Sequence, residues 1–244
     1  MPDPLQREPE PFRTQPVSFI RRGGRLKDRQ QRTWDALAPR FVIDVPRWGS
    51  STSVDPHVAL DLAAAFGRSA PLVVEIGSGR GDALVAAAAA RPEVDFLGLE
   101  VYVPGVADTL LTIRRHEVAN VRMAIVNADE ALRTFVPPHS VDELWTWFPD
   151  PWHKKRHAKR RLITVEFCSL VSKVLKPSGT WRIATDWADY ADWIDNVLTQ
   201  SPDLDGARTE RFEERAETRF ESKGLRAGRV IHDFAAAPAA GRWT

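Results

Sequence analysis

The sequence predicts an α/β domain with a doubly wound, mostly parallel sheet and helices on both faces. From residue 71 onward, short apolar runs alternate with helical patterns, which is typical of parallel βαβ units. A glycine-rich loop also follows the first apolar run, and acids stand where strands end. With 244 residues, of which 43% are hydrophobic and 27% charged, the chain resembles an average globular protein that buries a sizeable core.

The alternation assigns each element in order along the chain. Strands are predicted at residues 72–76, 96–99, 121–126, 141–147 and 180–184. Helices are predicted at residues 83–90, 106–116, 129–135, 162–175 and 189–199. Two further strands, at 207–212 and 230–235, are predicted to close the sheet as a hairpin-like pair and bring it to seven strands. We predict neither a helix nor a strand for the polar, basic segment between these two strands.

The remaining segments and the composition bound the organisation of the chain. Residues 1–16, with five prolines, are predicted to be a disordered tail, residues 17–60 a basic extension that packs on the body, and residues 61–238 the main domain. Cys168 is the only cysteine, which excludes an internal disulfide and a cysteine-cluster metal site. Without an apolar run of about 18 residues, we expect a cytoplasmic protein without a membrane partner.

The net charge of +1 conceals two local clusters of positive charge. Residues 12–32 contain seven Arg or Lys against one acid, and residues 153–161 contain six against none. Because phosphate contacts need clustered Lys and Arg, these clusters favour a polyanionic partner.

The glycine-rich loop follows the first predicted strand. Glu75 lies near the strand end, and Gly77, Gly79 and Gly81 occupy alternate positions before the next helix. Glycine permits a tight turn and lets backbone N–H groups approach a ligand that a Cβ would exclude. The E-x-G-x-G-x-G spacing differs from the G-x-G-x-x-G of dinucleotide folds and resembles that of class I methyltransferases. This resemblance implies that the loop lies against the methionine half of S-adenosylmethionine and that Glu75 holds its amino group.

Polar residues after the next two strands are candidates for the rest of a cofactor site. Glu100 ends the second strand, and a carboxylate there accepts hydrogen bonds from the ribose hydroxyls. Asn127 and Ala128 follow the third strand, where a polar side chain and a backbone N–H meet the adenine edge. Asp129 is the alternative to Asn127 for this contact. A plain strand-to-helix turn and a nicotinamide-dependent enzyme are the competing interpretations of the loop.

The segment after the fourth strand, residues 148–161, is the most informative of the chain. Ligands of open α/β sheets lie outside the carboxyl ends of the strands, so Asp150 is expected to project beside the methyl donor. The prolines at 149 and 151 restrict its backbone. Trp152 offers a flat face for stacking an unstacked base, as in RNA recognition. His153 and His157 are four apart, but no third ligand stands nearby in sequence, so no metal is predicted.

This segment closely resembles that of the bacterial tRNA (guanine-N7-)-methyltransferases. Three further motifs agree: R-R-G-G-R-L at 21–26, A-T-D-W at 184–187 and T-R-F-E at 218–221. The resemblance covers residues 19–235 and implies a Rossmann-like class I methyltransferase with tRNA as its partner. It also implies that the enzyme transfers a methyl group from S-adenosylmethionine to N7 of a guanine, at variable-loop position 46 of tRNA.

The motifs assign candidate residues to four tasks. Asp150 is the catalytic candidate. Cofactor contacts are expected from Glu75, Gly77, Gly79, Gly81, Glu100, Asn127, Ala128 and Asp150. Substrate contacts are expected from Lys154, Asp186, Thr218, Arg219, Phe220 and Glu221. Phosphate contacts are expected from Arg21, Arg22, Arg25, Arg156, Arg160 and Arg161.

Some alternatives stay open from the sequence alone. The family often has an aspartate where this chain has Asn127. Either Asp150 or Asp186 is a hypothetical acceptor for the N1–H and N2–H₂ edge of guanine, since carboxylates suit a face made of donors. A small-molecule methyltransferase and a non-catalytic RNA-binding protein are the alternative functions. The basic run after Asp150 disfavours a small-molecule methyltransferase. The presence of Glu75, Glu100 and Asp150 disfavours a non-catalytic protein.

Overall fold

A computed structural model of the chain describes residues 25–49, 51–58 and 60–240. The predicted tail, Arg21 and Arg22 therefore lie outside the described residues. The strands are β1 (Leu72–Ile76), β2 (Asp95–Glu100), β3 (Val121–Ile125), β4 (Val141–Trp147), β5 (Leu175–Thr185), β6 (Leu204–Thr209) and β7 (His232–Pro238). The helices are α1 (Asp28–Phe41), α2 (Leu62–Phe66), α3 (Asp82–Ala90), α4 (Val103–His116), α5 (Ala128–Thr134), α6 (Val165–Val174), α7 (Ala188–Gln200) and α8 (Arg219–Arg226), with a 3₁₀ helix (Lys155–Arg160) before α6.

The seven strands form one sheet in the order β3-β2-β1-β4-β5-β7-β6. All neighbouring strands are parallel except β7, which runs antiparallel to both β5 and β6. The predicted fold class and the closing antiparallel pair are confirmed. Strand β1 pairs with both β2 and β4, so the chain reverses its direction of winding there, and a crevice for ligands opens at this switch point.

Alternate residues of the central strands enter two cores on opposite faces of the sheet. Val73 packs with side chains from α3 and α4, whereas Val74 packs with side chains from α5, α6 and α7. This arrangement explains why every residue of β1 and β2 is buried, since a parallel strand covered on both faces buries side chains on each of them. Among the described residues, no helix is long and apolar enough to cross a membrane.

Residues before the main domain contribute to these cores. Helix α1 packs along α4, and its Phe41 is buried with the side chains of α3 and α4. Gln30 of α1 donates to Asp108 Oδ1 at 2.9 Å, which joins the start of α1 to α4. Val54 is fully buried in the core on the other face. The division at residue 60 remains a prediction.

The last part of the sheet differs most from its prediction. Strand β6 begins at Leu204, which is buried, and ends at Thr209, three residues earlier than predicted at each end. Phe212, which was assigned to the strand, instead stacks on Trp147 with ring centroids 6.4 Å apart. The segment between β6 and β7 contains α8, which was not predicted. Thr218 begins this helix by accepting a hydrogen bond from the Glu221 backbone N–H.

Candidate active site

A cavity of about 580 Å³ opens at the carboxyl ends of the central strands. The loops after β1, β2 and β3 form one end of it, which we call the cofactor end. The loop after β4, residues of the 3₁₀ helix and the start of α8 form the other end, which we call the base end. The cavity thus brings together segments from residue 75 to residue 220.

The glycine loop lines the cofactor end through two of its three predicted glycines. Gly77 and Gly79 have φ values of +72° and +57°, a region that L residues rarely adopt, and both line the cavity. Gly81 does not line it. A Cβ at Gly81 would lie 2.5 Å from Thr109 Cγ2, so this glycine allows close packing of the loop on α4.

Gly105 of α4 is a cavity residue that the sequence did not reveal. A Cβ at this position would lie 2.5 Å from the backbone oxygen of Gly79. Gly105 therefore lets α4 support the glycine loop from behind. A lone glycine in a helical pattern was the only available signal, and it does not identify the partner.

Glu75 ends in the floor of the cavity with its carboxylate almost out of water. The side chain is 3% exposed, and its Oε2 atom has no hydrogen-bond partner among the described residues. Burial, followed by the nearby carboxylates of Glu100 and Asp82, raises the pKa of Glu75 to about 8. A buried acid with a free oxygen fits a cationic group such as the amino group of S-adenosylmethionine.

Two further buried polar atoms without a described partner belong to the same cavity, namely Ser78 Oγ and Trp147 Nε1. Orphaned polar atoms of this kind are uncommon in folded proteins, and their concentration here indicates that a polar ligand completes them. The residues present therefore fit S-adenosylmethionine.

Glu100 is fixed by three backbone N–H groups. Its Oε2 accepts from Gly79 N at 2.7 Å, and its Oε1 accepts from Val101 N at 2.8 Å and Tyr102 N at 2.9 Å. Burial raises the pKa of Glu100; these three bonds oppose the shift, and the charge of Asp150 adds to it. Since a carboxylate offers about four acceptor sites, the capacity left for ribose hydroxyls is small. The predicted ribose contact stays a prediction.

The residues after β3 all line the cofactor end. Asn127 and Ala128 open α5, and the backbone N–H of Asn127 donates to Thr52 O at 2.8 Å. Asp129 forms an ion pair with Arg133 at 3.0 Å, one turn further along the helix. This pairing makes Asn127 the freer of the two side chains for an adenine edge.

The loop that carries Asp150 has an unusual backbone. Phe148 and Trp152, on either side of the Pro-Asp-Pro run, have φ values of +53° and +48°. Two bulky residues in the left-handed region are strained, and such strain concentrates at functional sites. The Phe148 N–H donates to Ala184 O at 2.8 Å, which anchors the loop on β5. Asp150 is exposed and lines the cavity, as expected for a residue that meets a ligand.

Trp152 and the 3₁₀ helix form one wall of the base end. The guanidinium of Arg160 lies over the Trp152 ring, 5.1 Å from its centroid, and His157 meets the same ring edge-on. Arg160 lines the cavity, whereas Lys154 and Arg156 are exposed outside it. Arg25, the only described member of the N-terminal cluster assigned to phosphate, is also exposed.

Arg161 is placed differently from its neighbours. It is 5% exposed, forms an ion pair with Asp189, and donates from Nε to Pro151 O at 3.0 Å. Its guanidinium also lies over the rings of Tyr190 and Trp193. Arg161 nevertheless lines the cavity, and its predicted phosphate contact stays a prediction. Its bond to Pro151 O also holds the carboxyl end of the Asp150 loop.

Helix α8 forms the opposite wall of the base end. Thr218, Arg219 and Phe220 line the cavity, and the Phe220 side chain is 66% exposed. Glu221 does not line it. This residue is 2% exposed and accepts hydrogen bonds from Arg211 and Arg215, so it anchors the helix rather than facing a ligand.

The anchor of α8 is a buried cluster of charges. Arg215 has no exposed side-chain surface and pairs with both Glu221 and Asp233 of β7. Its guanidinium also lies over the rings of Trp147 and Phe148. Arg215 therefore links the start of α8 to the end of β4, two segments that face each other across the cavity.

Asp186 lies beneath α8 and does not line the cavity. Its Oδ2 accepts from Arg229 Nε at 2.8 Å, and a Cβ at Gly224 would come within 2.8 Å of the same oxygen. Its predicted substrate contact is therefore not supported by this geometry. Among the described residues there is also no cluster of His, Cys, Asp or Glu that could hold a metal.

The sheet order, the glycine loop and the buried acids of the cofactor end define a class I methyltransferase of Rossmann-like fold. A family model described as "Putative methyltransferase" matches residues 69–234. The crystal structure of the 16S rRNA methyltransferase KamB is similar in fold, with a TM-score of 0.52 and 16% identity, covering 69% of this chain and 88% of that chain.

Two sequence relatives identify the family. The tRNA (guanine-N(7)-)-methyltransferase of Cutibacterium acnes is 50% identical over 89% of this chain and 81% of its own length. That of Nocardioides sp. is 49% identical over 90% of this chain and 86% of its own length. The chain belongs to the tRNA (guanine-N(7)-)-methyltransferase family, and its cofactor is S-adenosylmethionine.

Proposed function

We propose that the protein transfers a methyl group from S-adenosylmethionine to N7 of a guanine in tRNA, at variable-loop position 46. The observation that carries the proposal is a single cavity with two kinds of end. Buried acids and open glycines suit the cofactor, and an exposed acid with aromatic and basic side chains suits a nucleotide. A small-molecule substrate would not account for the exposed cations of the 3₁₀ helix beside the cavity.

When bound, S-adenosylmethionine supplies an electrophilic methyl group attached to a sulfonium. Guanine N7 carries a free lone pair at neutral pH, so no side chain has to remove a proton before the attack. The task of the chain is orientation of the base, and such orientation contributes about 7–11 kcal/mol in favourable cases. Asp150 consequently has no need to act as a general base.

Asp150 is the proposed acceptor for the N1–H and N2–H₂ groups of the guanine. Its carboxylate is exposed in the cavity, whereas the carboxylate of Asp186 is engaged by Arg229. A carboxylate at this edge also favours the cation that methylation leaves on the base. Trp152 and Phe220, one on each wall, offer faces for the ring to stack on.

Lys154, Arg156 and Arg160 are proposed to hold phosphates beside the target nucleotide. Contacts of this kind position the RNA without reading its sequence. Arg25 lies just before α1 and is proposed to add to the positive electrostatic potential that attracts the RNA.

Transfer of labelled methyl groups to a tRNA transcript tests the proposal, beside the same transcript carrying 7-deazaguanine in place of guanine. We expect label in the first and none in the second, because the replacement removes the attacking atom. A transcript with guanine replaced only at position 46 then tests the site. Label in the 7-deazaguanine transcript, or none in either while the cofactor binds, would contradict the proposal.

A further inference from the structure

Helix α8 carries three cations on its outer face: Arg219, Lys223 and Arg226. Their spacings of four and three residues place them on one side of the helix. All three are exposed, whereas Glu221 and Gly224 are buried on the side that faces the protein. We refer to these three cations as the α8 stripe.

The α8 stripe is unpaired in a region where other arginines are paired. Arg211 and Arg215 are bound to Glu221, and Arg229 is bound to Asp186. None of the three stripe residues forms an ion pair within the part of the chain that the structure describes. The charge of the stripe is therefore available to a ligand from solution.

The position of the stripe relates it to the cavity. Arg219 lines the base end, and the next residue, Phe220, presents an exposed ring there. On the opposite wall Arg160 lines the cavity, with exposed cations beside it on the 3₁₀ helix. A polyanionic chain that crosses the mouth of the cavity would therefore meet positive charge on both sides.

We propose that the α8 stripe binds backbone phosphates of the RNA on one side of the target nucleotide, while the 3₁₀ helix binds those on the other side. This inference rests on the proposed function and adds a second phosphate site to it. Cations spaced along a helix over two turns suit successive phosphates of a single strand, and contacts on both sides of a nucleotide keep its base directed into the cavity.

A purely structural role is the alternative for two of these residues. Lys223 and Arg226 lie in the last turn of α8, where cations stabilise the negative end of the helix dipole. Such a role affects thermal stability and is independent of RNA. The two roles are separated by measuring RNA binding against salt together with stability.

The test uses the full chain with Lys223→Gln and Arg226→Gln combined, which leaves the cavity residue Arg219 unchanged. The control combines Arg114→Gln and Lys173→Gln, which removes the same charge from exposed positions in the last turns of α4 and α6. These helix ends lead back to the starts of β3 and β5, at the edge of the sheet opposite the cavity.

The readouts are equilibrium tRNA binding by fluorescence anisotropy at several salt concentrations and initial methylation rates. We expect the decrease of log affinity with log salt to become shallower by about 1.4–1.8 in the stripe variant, which is the contribution of two phosphate contacts to the slope. We also expect its KM for tRNA to rise about tenfold, with kcat within about twofold of the wild type, because the lost contacts hold phosphates and not the reacting base. The control should match the wild type.

A stripe variant with the salt slope and KM of the control would overturn the inference, as would a loss confined to thermal stability. Failure of the proposed function has a different signature. In that case the wild type transfers no methyl group to tRNA, whatever the stripe variant does. Wild-type transfer with an unchanged slope in the stripe variant rejects the stripe alone.

Discussion

The cofactor end of the cavity is held mainly by backbone groups, whereas the base end is held by ion pairs between distant side chains. Glu100 accepts three backbone N–H groups, and Gly105 packs directly on the glycine loop. At the base end, Arg215 joins Glu221 to Asp233, and Arg229 joins α8 to Asp186. The difference indicates that cofactor binding and RNA binding can be lost separately, so that a substitution at one end leaves binding at the other end intact.

Replacement of Asp150 should produce the largest loss. In Asp150→Ala, kcat should fall by about 10²-fold or more, the size associated with losing one preorganised group at a reacting centre. Cofactor affinity should fall far less than kcat, because Glu75 and the glycine loop are intact and Asp150 is only one of the expected cofactor contacts. Single-turnover methyl transfer and calorimetry measure the two quantities. The exposed Asp205 of β6 provides the control as Asp205→Asn, and near-normal turnover in Asp150→Ala would remove Asp150 from the mechanism.

Replacement of Arg215 should destabilise the protein through the base end. Arg215→Met leaves the buried Asp233 without its ion-pair partner and Glu221 with Arg211 alone, which costs about 3–5 kcal/mol in the free energy of unfolding at neutral pH. Burial raises the pKa of Glu221, but its ion pairs with Arg215 and Arg211 outweigh this and lower the pKa overall. The stabilisation is therefore present above the ordinary glutamate pKa and is lost as pH falls through the lowered one.

Urea unfolding of wild type and Arg215→Met across a pH series checks this expectation. The difference in unfolding free energy should shrink as the pH falls, because protonation of the buried carboxylates in the variant removes the charges that lost their partner. Folded Arg215→Met should still bind the cofactor with nearly normal affinity. A loss of cofactor affinity equal to the loss of turnover would show that the two ends are coupled.

Two glycine substitutions sharpen the comparison between the ends. Gly105→Ala places a Cβ 2.5 Å from Gly79 O, and Gly224→Ala places one 2.8 Å from Asp186 Oδ2. We expect the first to weaken cofactor binding about tenfold and leave the affinity for tRNA unchanged, since overpacking costs about 1–3 kcal/mol at the displaced segment. The second should show the reverse pattern. Calorimetry with the cofactor and anisotropy with tRNA, applied to both variants, test whether each substitution weakens only one of the two affinities.

The smallest expected effect is a proton released on cofactor binding. With its pKa raised to about 8, Glu75 is mostly protonated at pH 7 in the free protein, and a cationic amino group favours its carboxylate. Binding at pH 7 should release nearly one proton per site. The binding enthalpy should therefore vary with the ionisation enthalpy of the buffer. Glu75→Gln should abolish this variation, and a variation retained in that variant would assign the proton to another group.

The same shift sets a trend in stability. Between the ordinary pKa of 4.5 and the raised value of about 8, the folded protein holds a proton on Glu75 that the unfolded chain has lost. Glu75 therefore lowers the free energy of unfolding as the pH rises through this window. Thermal unfolding of the cofactor-free wild type and Glu75→Gln across the window should show a smaller decline in the variant.

The cofactor end was largely predictable because its signals are local in sequence. The glycines and Glu75 lie within one short segment, and Glu100 ends the next strand. Gly105 was missed because its partner, Gly79, is apparent only when α4 packs on the loop. The fold was predictable for a similar reason, since each βαβ unit repeats the same apolar pattern.

The base end was less predictable because a run of charge does not indicate which member is buried. Arg160 and Arg161 both line the cavity, yet Arg160 lies over Trp152 whereas Arg161 is buried against Asp189, Tyr190 and Trp193. Helix α8 was missed although Thr218 and Glu221 form the T-x-x-E pattern that often begins a helix. Its polar sequence gave no apolar periodicity, because ion pairs rather than apolar contacts hold it to the sheet.

The two left-handed residues that flank the Asp150 loop carry a consequence for natural variation and for engineering. Each strained conformation costs about 1–3 kcal/mol, which the surrounding bonds from Arg161 and to Ala184 offset. Glycine or asparagine at position 148 or 152 would relieve this strain but would also remove a packed ring, Phe148 from the Arg215 guanidinium and Trp152 from that of Arg160. The two rings therefore oppose backbone relaxation on either side of the acid, and a shift towards relaxed residues at these positions should loosen Asp150.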